Sequence, residues 1–244
     1  MNKPSLAIKY GPPASGKSSL DIVLRNLKSK KNNWKHFSIN NLVEANNGFM
    51  QKSMGLAKEI FQYNDETAII NKLTKANNNM AQRFFTPYLT TRRKYNKQLD
   101  NALLTTLTNG KKDVTFETTG GSGLDWLCDL HQDTYNVHLL FPLVEVEEGW
   151  KRYVSRAVNM YQKGNYFRFG TTWAKYKQMY NTSYQNFINI IDRIDHPSKG
   201  SDSCHRYQTV VVVYQNTQIV LVKNGKRTRK FNVGKAFVQR FLQQ

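Results

Sequence analysis

The stretch LAIKYGPPASGKSSLDIVL, residues 6–24, decides the fold. Its apolar start, Leu6 to Tyr10, predicts a strand. Gly11 and two prolines break that strand, and Gly16-Lys17-Ser18 follows. Leu20, Val23, Leu24 and Leu27 then recur at i, i+3, i+4 and i+7, one face of a helix that begins inside the glycine loop. Residues 11–18 match G-x-x-x-x-G-K-[ST] in full and lie where that motif has physical meaning, between a strand and a helix. In such a loop the backbone N–H groups and the helix dipole converge on an anion. Gly11, Pro12, Pro13, Ala14, Ser15, Gly16, Lys17, Ser18 and Ser19 are therefore expected to surround the phosphates of a nucleotide. Lys17 is expected to reach the β- and γ-phosphates and Ser18 to ligate Mg²⁺; Ser19 is a neutral residue at the helix start.

A second glycine loop, DVTFETTGGSG at 113–123, follows another expected strand. Ligands of α/β sheets bind outside the carboxyl ends of the strands, which puts Glu117 beside the phosphate loop. Glu117 can act through water on Mg²⁺ or grip an acceptor hydroxyl, and the backbone of Thr118, Thr119, Gly120 and Gly121 can cradle an acceptor. Further on, Arg152, Arg156, Asn159 and Lys163 form a polar stripe on an expected helix, opposite Trp150, Tyr153, Val154, Ala157 and Tyr161. Two arginines one turn apart, with Arg168 in the turn GNYFRFG, read as a cationic clamp for the charge that phosphoryl transfer spreads over equatorial oxygens. The alternative is a solvated basic face.

The rest of the chain alternates strand and helix. HFSI at 36–39 reads as a short strand, and residues 44–110 as polar and helical, broken at NDET and KANNNM. A helix is expected from Leu89 to Leu107, stopped by Asn109-Gly110. Ser122-x-x-Asp125 predicts a capped helix to about Tyr135. YNVHLLFPLVEV reads as a buried parallel strand, followed by helices over 148–161 and 173–194. The C-terminal YQTVVVVYQNTQIVLVKNGKRTRKF reads as strand, turn and strand with a basic tip, then a helix from Gly234. Its first strand is either an antiparallel edge or a parallel core strand. The fold class is α/β: one domain, 1–244, with a parallel sheet flanked by helices and a helical insertion at about 44–110.

With 36 Lys and Arg against 17 Asp and Glu among 244 residues, the formal charge is +19. Such a chain favours polyanions: nucleotides, nucleotide-sugars, nucleic acid or acidic membrane. The cations are scattered, so a generally basic solvated surface is the plainer account. Tyr161, Tyr166, Phe167 and Phe169 among basic residues offer base stacking, although aromatics at helical spacing more often belong to a core. Cys128 and Cys204 are too few and too far apart for a disulfide framework or a cysteine zinc site. No apolar run reaches the length of a bilayer span, and no room for a signal peptide precedes the first strand, so the expected location is the cytosol or the nucleus.

Three blocks, GPPASGKSS, VTFETTGG and RYVSRAVNMYQKGNYFRFG, resemble the zeta-toxin-like P-loop kinases and, more loosely, viral and polynucleotide-kinase relatives. The resemblance covers roughly residues 5–195. It implies a nucleoside-kinase-like sheet, ATP or GTP as donor with Mg²⁺, and an acceptor hydroxyl on a nucleotide-sugar or similar small molecule, with the 44–110 segment shaping the acceptor side. It implies Lys17 and Ser18 at donor and metal, Glu117 and Thr118 at the acceptor loop, and Arg152, Arg156 and Arg168 at the donor or transferring phosphate. Such kinases carry an aspartate just after the second strand as general base. Here that place reads HFSINNLVE, with Asn40 and Asn41, and an amide is no base at neutral pH. Glu44, one turn on, is the candidate substitute. Otherwise the acceptor is itself a phosphate and needs no base, or the protein binds nucleotide without transferring phosphate.

Overall fold

The computed structural model describes residues 3–27, 34–62, 65–121, 124, 134–196 and 206–243. They gather into two compact units, one built from residues 1–37, 103–146 and 179–244, the other from 38–102 and 147–178. The helical segment expected at 44–110 is thus shared: most of it joins residues 147–178, and its end belongs to the sheet-bearing unit.

The first unit holds a seven-stranded sheet in the order β2-β3-β1-β4-β5-β6-β7. The strands are β1 (Ser5–Tyr10), β2 (Lys35–Phe37), β3 (Val114–Thr118), β4 (Asn136–Pro142), β5 (Thr209–Tyr214), β6 (Thr217–Lys223) and β7 (Lys226–Arg227). The first five run parallel, and β6 and β7 are antiparallel additions. Every residue of β1 is buried, as a central parallel strand covered on both faces must be. On one face Ala7 packs with Leu20, Val23, Leu24, Leu140 and Val211. On the other, Phe141 stacks on Phe187 with ring centroids 4.0 Å apart and meets Tyr184 edge-on at 5.0 Å. Phe187 and Tyr184 belong to α7 (Trp173–Asp195). The Tyr184 hydroxyl accepts from Val144 N at 2.9 Å and donates to Val144 O at 3.0 Å, and burial drives its pKa far upward.

Several sequence expectations shift. The glycine loop opens first into a 3₁₀ turn, Lys17–Leu20, and only then into α1 (Asp21–Leu27). The second strand ends at Phe37, because Ser38 takes the N-cap of α2 (Ile39–Glu44). α3 (Asn47–Phe61) and α4 (Glu66–Thr74) follow. The helix expected from Leu89 begins instead at Asn78 as α5 (Asn78–Asn109) and runs through Pro87. Asn77 caps it by accepting from Met80 N at 2.9 Å, and Ala81, Phe84 and Tyr88 bury one face ahead of and across the proline. A proline removes one helical hydrogen bond; the buried aromatic face on both sides outweighs it. β5 is the parallel core strand of the two alternatives, with Val211 opposite Leu140. α6 is Val146–Gln162, and α8 begins at Phe231 and ends at Arg240. Inside α8, Gly234 allows close approach: a Cβ there would lie 2.2 Å from Leu221 Cδ2. The helix expected after Ser122 lies outside the described residues.

In the second unit Phe61, Phe84 and Phe167 form a ring cluster with centroids 4.6–5.4 Å apart. Tyr161, Tyr166, Phe167 and Phe169 are all buried. The base-stacking role considered for them is thereby corrected: they are core.

The Phe141–Phe187 stack carries the sheet face beneath α7. Phe141→Ala is expected to cost about 3–5 kcal/mol, read as a lower urea midpoint at an unchanged m-value.

Candidate functional site

The phosphate loop is pinned at both ends. Gly11 N donates to Thr118 O at 3.3 Å, which joins the exit of β1 to the exit of β3. A Cβ at Gly11 would stand 3.0 Å from Ser15 Oγ and 3.1 Å from Pro142 Cδ, so glycine is needed for the close approach. Ala14 at φ 59° and Gly16 at φ 92° adopt the left-handed conformation. For Ala14 that conformation costs about 1 kcal/mol or more and must be held by its surroundings. Lys17 is 8% exposed, and its Nζ donates to the carbonyls of Gly11 and Pro12, both at 2.8 Å. The lysine therefore lies folded across its own loop, where phosphate oxygens would compete with the two carbonyls. Ser18 is exposed at the first helical turn. The Ser19 hydroxyl donates to Gly16 O at 2.6 Å, a helix-start role. The Ser15 hydroxyl is buried with no hydrogen-bond partner. A left-handed glycine, a lysine on exchangeable carbonyls and an exposed serine hydroxyl fit a nucleotide's phosphates with Mg²⁺.

The neighbouring Thr118–Gly120 loop is held by residues that the motifs did not point to. Gly120 O accepts from Tyr10 Oη at 3.1 Å and from Asn186 Nδ2 at 2.9 Å. Gly120 N is 3.4 Å from Thr118 Oγ1. At φ 72°, a Cβ on Gly120 would be 2.3 Å from Ser183 Oγ and 2.8 Å from Tyr10 Cε1. Thr119 is exposed and Glu117 half-buried. Glu117 is the register partner of Lys9 on β1, and parallel partners share a sheet face. Lys9 is almost fully buried and donates to Asp21 Oδ1 at 2.6 Å. On the same face, His36 lies 2.5 Å from Thr115 Oγ1. Loss of hydration is the main reason its pKa is lowered; Lys9 adds to this, and Glu117 and Asp21 oppose it. A lysine on the innermost strand has one sequence signal, its break in an otherwise apolar run.

In the second unit the three arginines separate. Arg152 donates to Glu148 at 2.7 Å along its own helix, with both side chains half-exposed. Arg156 and Arg168 converge on Glu44. Arg156 Nη2 stands 3.1 and 3.3 Å from its two oxygens. Arg168 Nη1 stands 2.6 Å from Oε1, approaching off the N–H direction, so that contact is an ion pair more than a directed hydrogen bond. The Arg168 guanidinium also lies 5.3 Å from the Tyr88 ring centre. Tyr88 Oη donates to Asn40 Oδ1 at 2.7 Å, and its pKa is raised chiefly by burial. Tyr166 also hydrogen-bonds Arg156 and Glu44, and burial raises its pKa as well. Asn40, Tyr88, Arg168, Glu44, Arg156 and Tyr166 are thus one connected network, and Asn41 is exposed outside it. Tyr88 belongs to no motif, and the sequence offers Tyr166 as a stacking aromatic, not as a member of this network.

Among the described residues no group of three or more His, Cys, Asp or Glu could hold a metal ion, and no helix is long and apolar enough to cross a membrane.

No family model and no curated protein matches this chain. Among solved structures, one from the PezAT chromosomal toxin–antitoxin system of Streptococcus pneumoniae superposes with a TM-score of 0.55 at 7% identity, over 100% of this chain and 87% of that one. The likeness is one of fold: an α/β architecture with a mostly parallel sheet flanked by helices.

Gly120→Ala should lower stability by about 1–3 kcal/mol, from a strained backbone and a clash with Ser183. A denaturant melt checks this. Ser183→Gly in the same chain should recover part of the loss.

Proposed function

We propose that the protein is a P-loop phosphotransferase that moves the γ-phosphate of ATP or GTP to a small-molecule acceptor, a nucleotide-sugar or a nucleotide. The observation that carries this reading is the loop from Gly11 to Ser18, with Lys17 poised on two carbonyls that an anion can replace. Lys17 would hold the β- and γ-phosphates and Ser18 would ligate Mg²⁺, with Glu117 acting on the metal through water or gripping the acceptor. The metal, when bound, neutralises charge on the bridging oxygens. The Thr118–Gly120 backbone, fixed by Tyr10 and Asn186, serves the acceptor. Arg156 and Arg168 carry the charge of the transferring group, and Arg152 joins them by exchanging its weak surface pair with Glu148.

Glu44 is better read as a positioning residue than as the missing base. Its oxygens are engaged by two guanidiniums, and a base needs a lone pair directed at the proton it takes. This favours an acceptor that is already a phosphate. The Asn40–Tyr88 hydrogen bond supports a second reading, a nucleotide binder without transfer, because the amide is built into the network instead of facing a hydroxyl.

Lys17→Ala should abolish Mg²⁺-dependent ATP binding by calorimetry while leaving the circular dichroism spectrum unchanged; equal affinities would overturn the proposal. A transfer screen with labelled ATP over nucleotides, nucleotide-sugars and 5′-hydroxyl oligonucleotides identifies the acceptor. Binding with no transfer to any of them would establish the second reading.

With the acceptor in hand, Glu44→Gln should slow single-turnover transfer by less than about tenfold, since loss of a general base costs about 10²–10⁴-fold. Arg168→Gln should lower kcat more than it raises KM.

A further inference from the structure

The C-terminal hairpin has a charge distribution that the phosphotransferase reading does not use. From Arg206 to Gln244 the chain has eight Lys and Arg and no carboxylate. Among the described residues, the acids paired with this segment's cations are Asp192 and Asp195, near the end of α7. Lys235 stands 2.6 Å from Asp192, and Arg227 pairs with Asp195. Both carboxylates are thus engaged by cations that pack toward α7. Arg206, Lys223, Lys226, Arg229 and Lys230 are all exposed. Lys223 and Lys226 are direct cross-strand partners in the last pair before the turn. Like charges placed directly opposite destabilise a hairpin. Lysine on an edge strand also guards against strand addition, but that need is met by one residue and does not explain five cations around one turn.

The turn itself is rigid. Asn224 at φ 52° and Gly225 at φ 73° give the two-residue turn that matches strand twist. Gly225 N donates to Gln208 O at 3.1 Å, which brings the segment after Arg206 against the turn. Thr228 Oγ1 donates to Val220 O at 2.6 Å and fixes the chain between Arg227 and Arg229. The cations are therefore displayed on ordered backbone, so little backbone entropy is lost on meeting a partner.

We infer that the tip of the β6–β7 hairpin and the lead into α8 form a docking surface for the phosphodiester backbone of nucleic acid, read without regard to sequence. The cations follow one another along the hairpin and its exit, which matches a polymer with one charge per repeat. Phe231 and Phe241 of the same region are buried, so the surface offers neither base stacking nor an aromatic wedge for a lipid surface; Val233 is its one large exposed apolar side chain among the described residues.

The test is fluorescence anisotropy with a labelled mixed-sequence duplex, without nucleotide, over a salt series, so that it stands or falls apart from phosphotransfer. Each phosphate contact contributes about −0.9 to the slope of log K against log salt. K223Q/K226Q/R229Q/K230Q should flatten the slope by roughly 3–4 and weaken binding at least tenfold at about 0.1 M salt. The control R92Q/R93Q/K94Q/K97Q removes the same charge from the exposed face of α5 and should change the slope by less than about one. The double variant K223Q/K226Q, which removes a repulsive pair, should melt at or above the wild-type temperature and still flatten the slope by roughly 2. Equal losses in the hairpin and α5 variants, a hairpin variant that binds like wild type, or wild-type protein that binds phosphatidylserine vesicles but no duplex would each overturn the inference.

Discussion

β1 is covered on both faces and flanked on both edges, so the chain can leave the sheet only at its end. That end is Gly11, where a side chain would strike Ser15 and Pro142. The single backbone hydrogen bond from Gly11 N to Thr118 O locks this exit to that of β3. That bond extends the ladder that already pairs Lys9 with Glu117 and Tyr10 with Thr118, and the loops that start at Gly11 and after Thr118 leave the sheet side by side. Two loops that are 107 residues apart at Gly11 and Thr118 become one surface because parallel strands in register must end together.

Carboxylates are scarce in this chain, so those the fold keeps for internal pairing are informative. Glu44 engages two arginines, Asp195 pairs with Arg227 and Lys235, and Asp21 engages the buried Lys9. The last pair is the least symmetric: Lys9 is 5% exposed and Asp21 57%. Burying an ammonium without a partner would cost several kcal/mol, on the order of the penalty for an unpaired buried ion. Asp21, at the first turn of α1, meets that cost while also favouring the helix start. Lys9 thus ties α1, and with it the first turn that carries Lys17, to the central strand.

The strand–loop–helix start and the order of elements were legible because period, glycine and proline are local signals. So was the second glycine loop: its strand ends at Thr118, two residues before the first glycine, Gly120. What was not legible is long-range. Nothing local marks Tyr10 or Asn186 as the partners of the Gly120 carbonyl, because those contacts depend on β1 and α7 meeting the same loop. The start of α5 was hidden by Pro87, whose local penalty is real and is overruled by a buried aromatic face. The sequence reading groups Arg152 and Arg156 with Arg168 of the following turn; in the structure Arg152 pairs with Glu148 at i−4, a pairing visible in the sequence once acid spacing is read alongside base spacing.

The separation of Arg152 from its neighbours changes what the second unit can do. An ion pair between two half-exposed residues of one helix is worth little and is easily exchanged. The Glu44 network is different in kind. Arg168 and Glu44 are each 15% exposed, and Arg168 is held on its other side by the Tyr88 ring. Removing the carboxylate from such a pair leaves a desolvated cation, which binds the next available anion more strongly than a solvated one does. Asn40 accepts from the hydroxyl of the same Tyr88, so the residue that stands in the expected place of a base is tied into this network. An aspartate at that position would also accept from Tyr88, but it would add a second negative charge to a network that already holds Glu44. The amide keeps the hydrogen bond and adds no charge to the network.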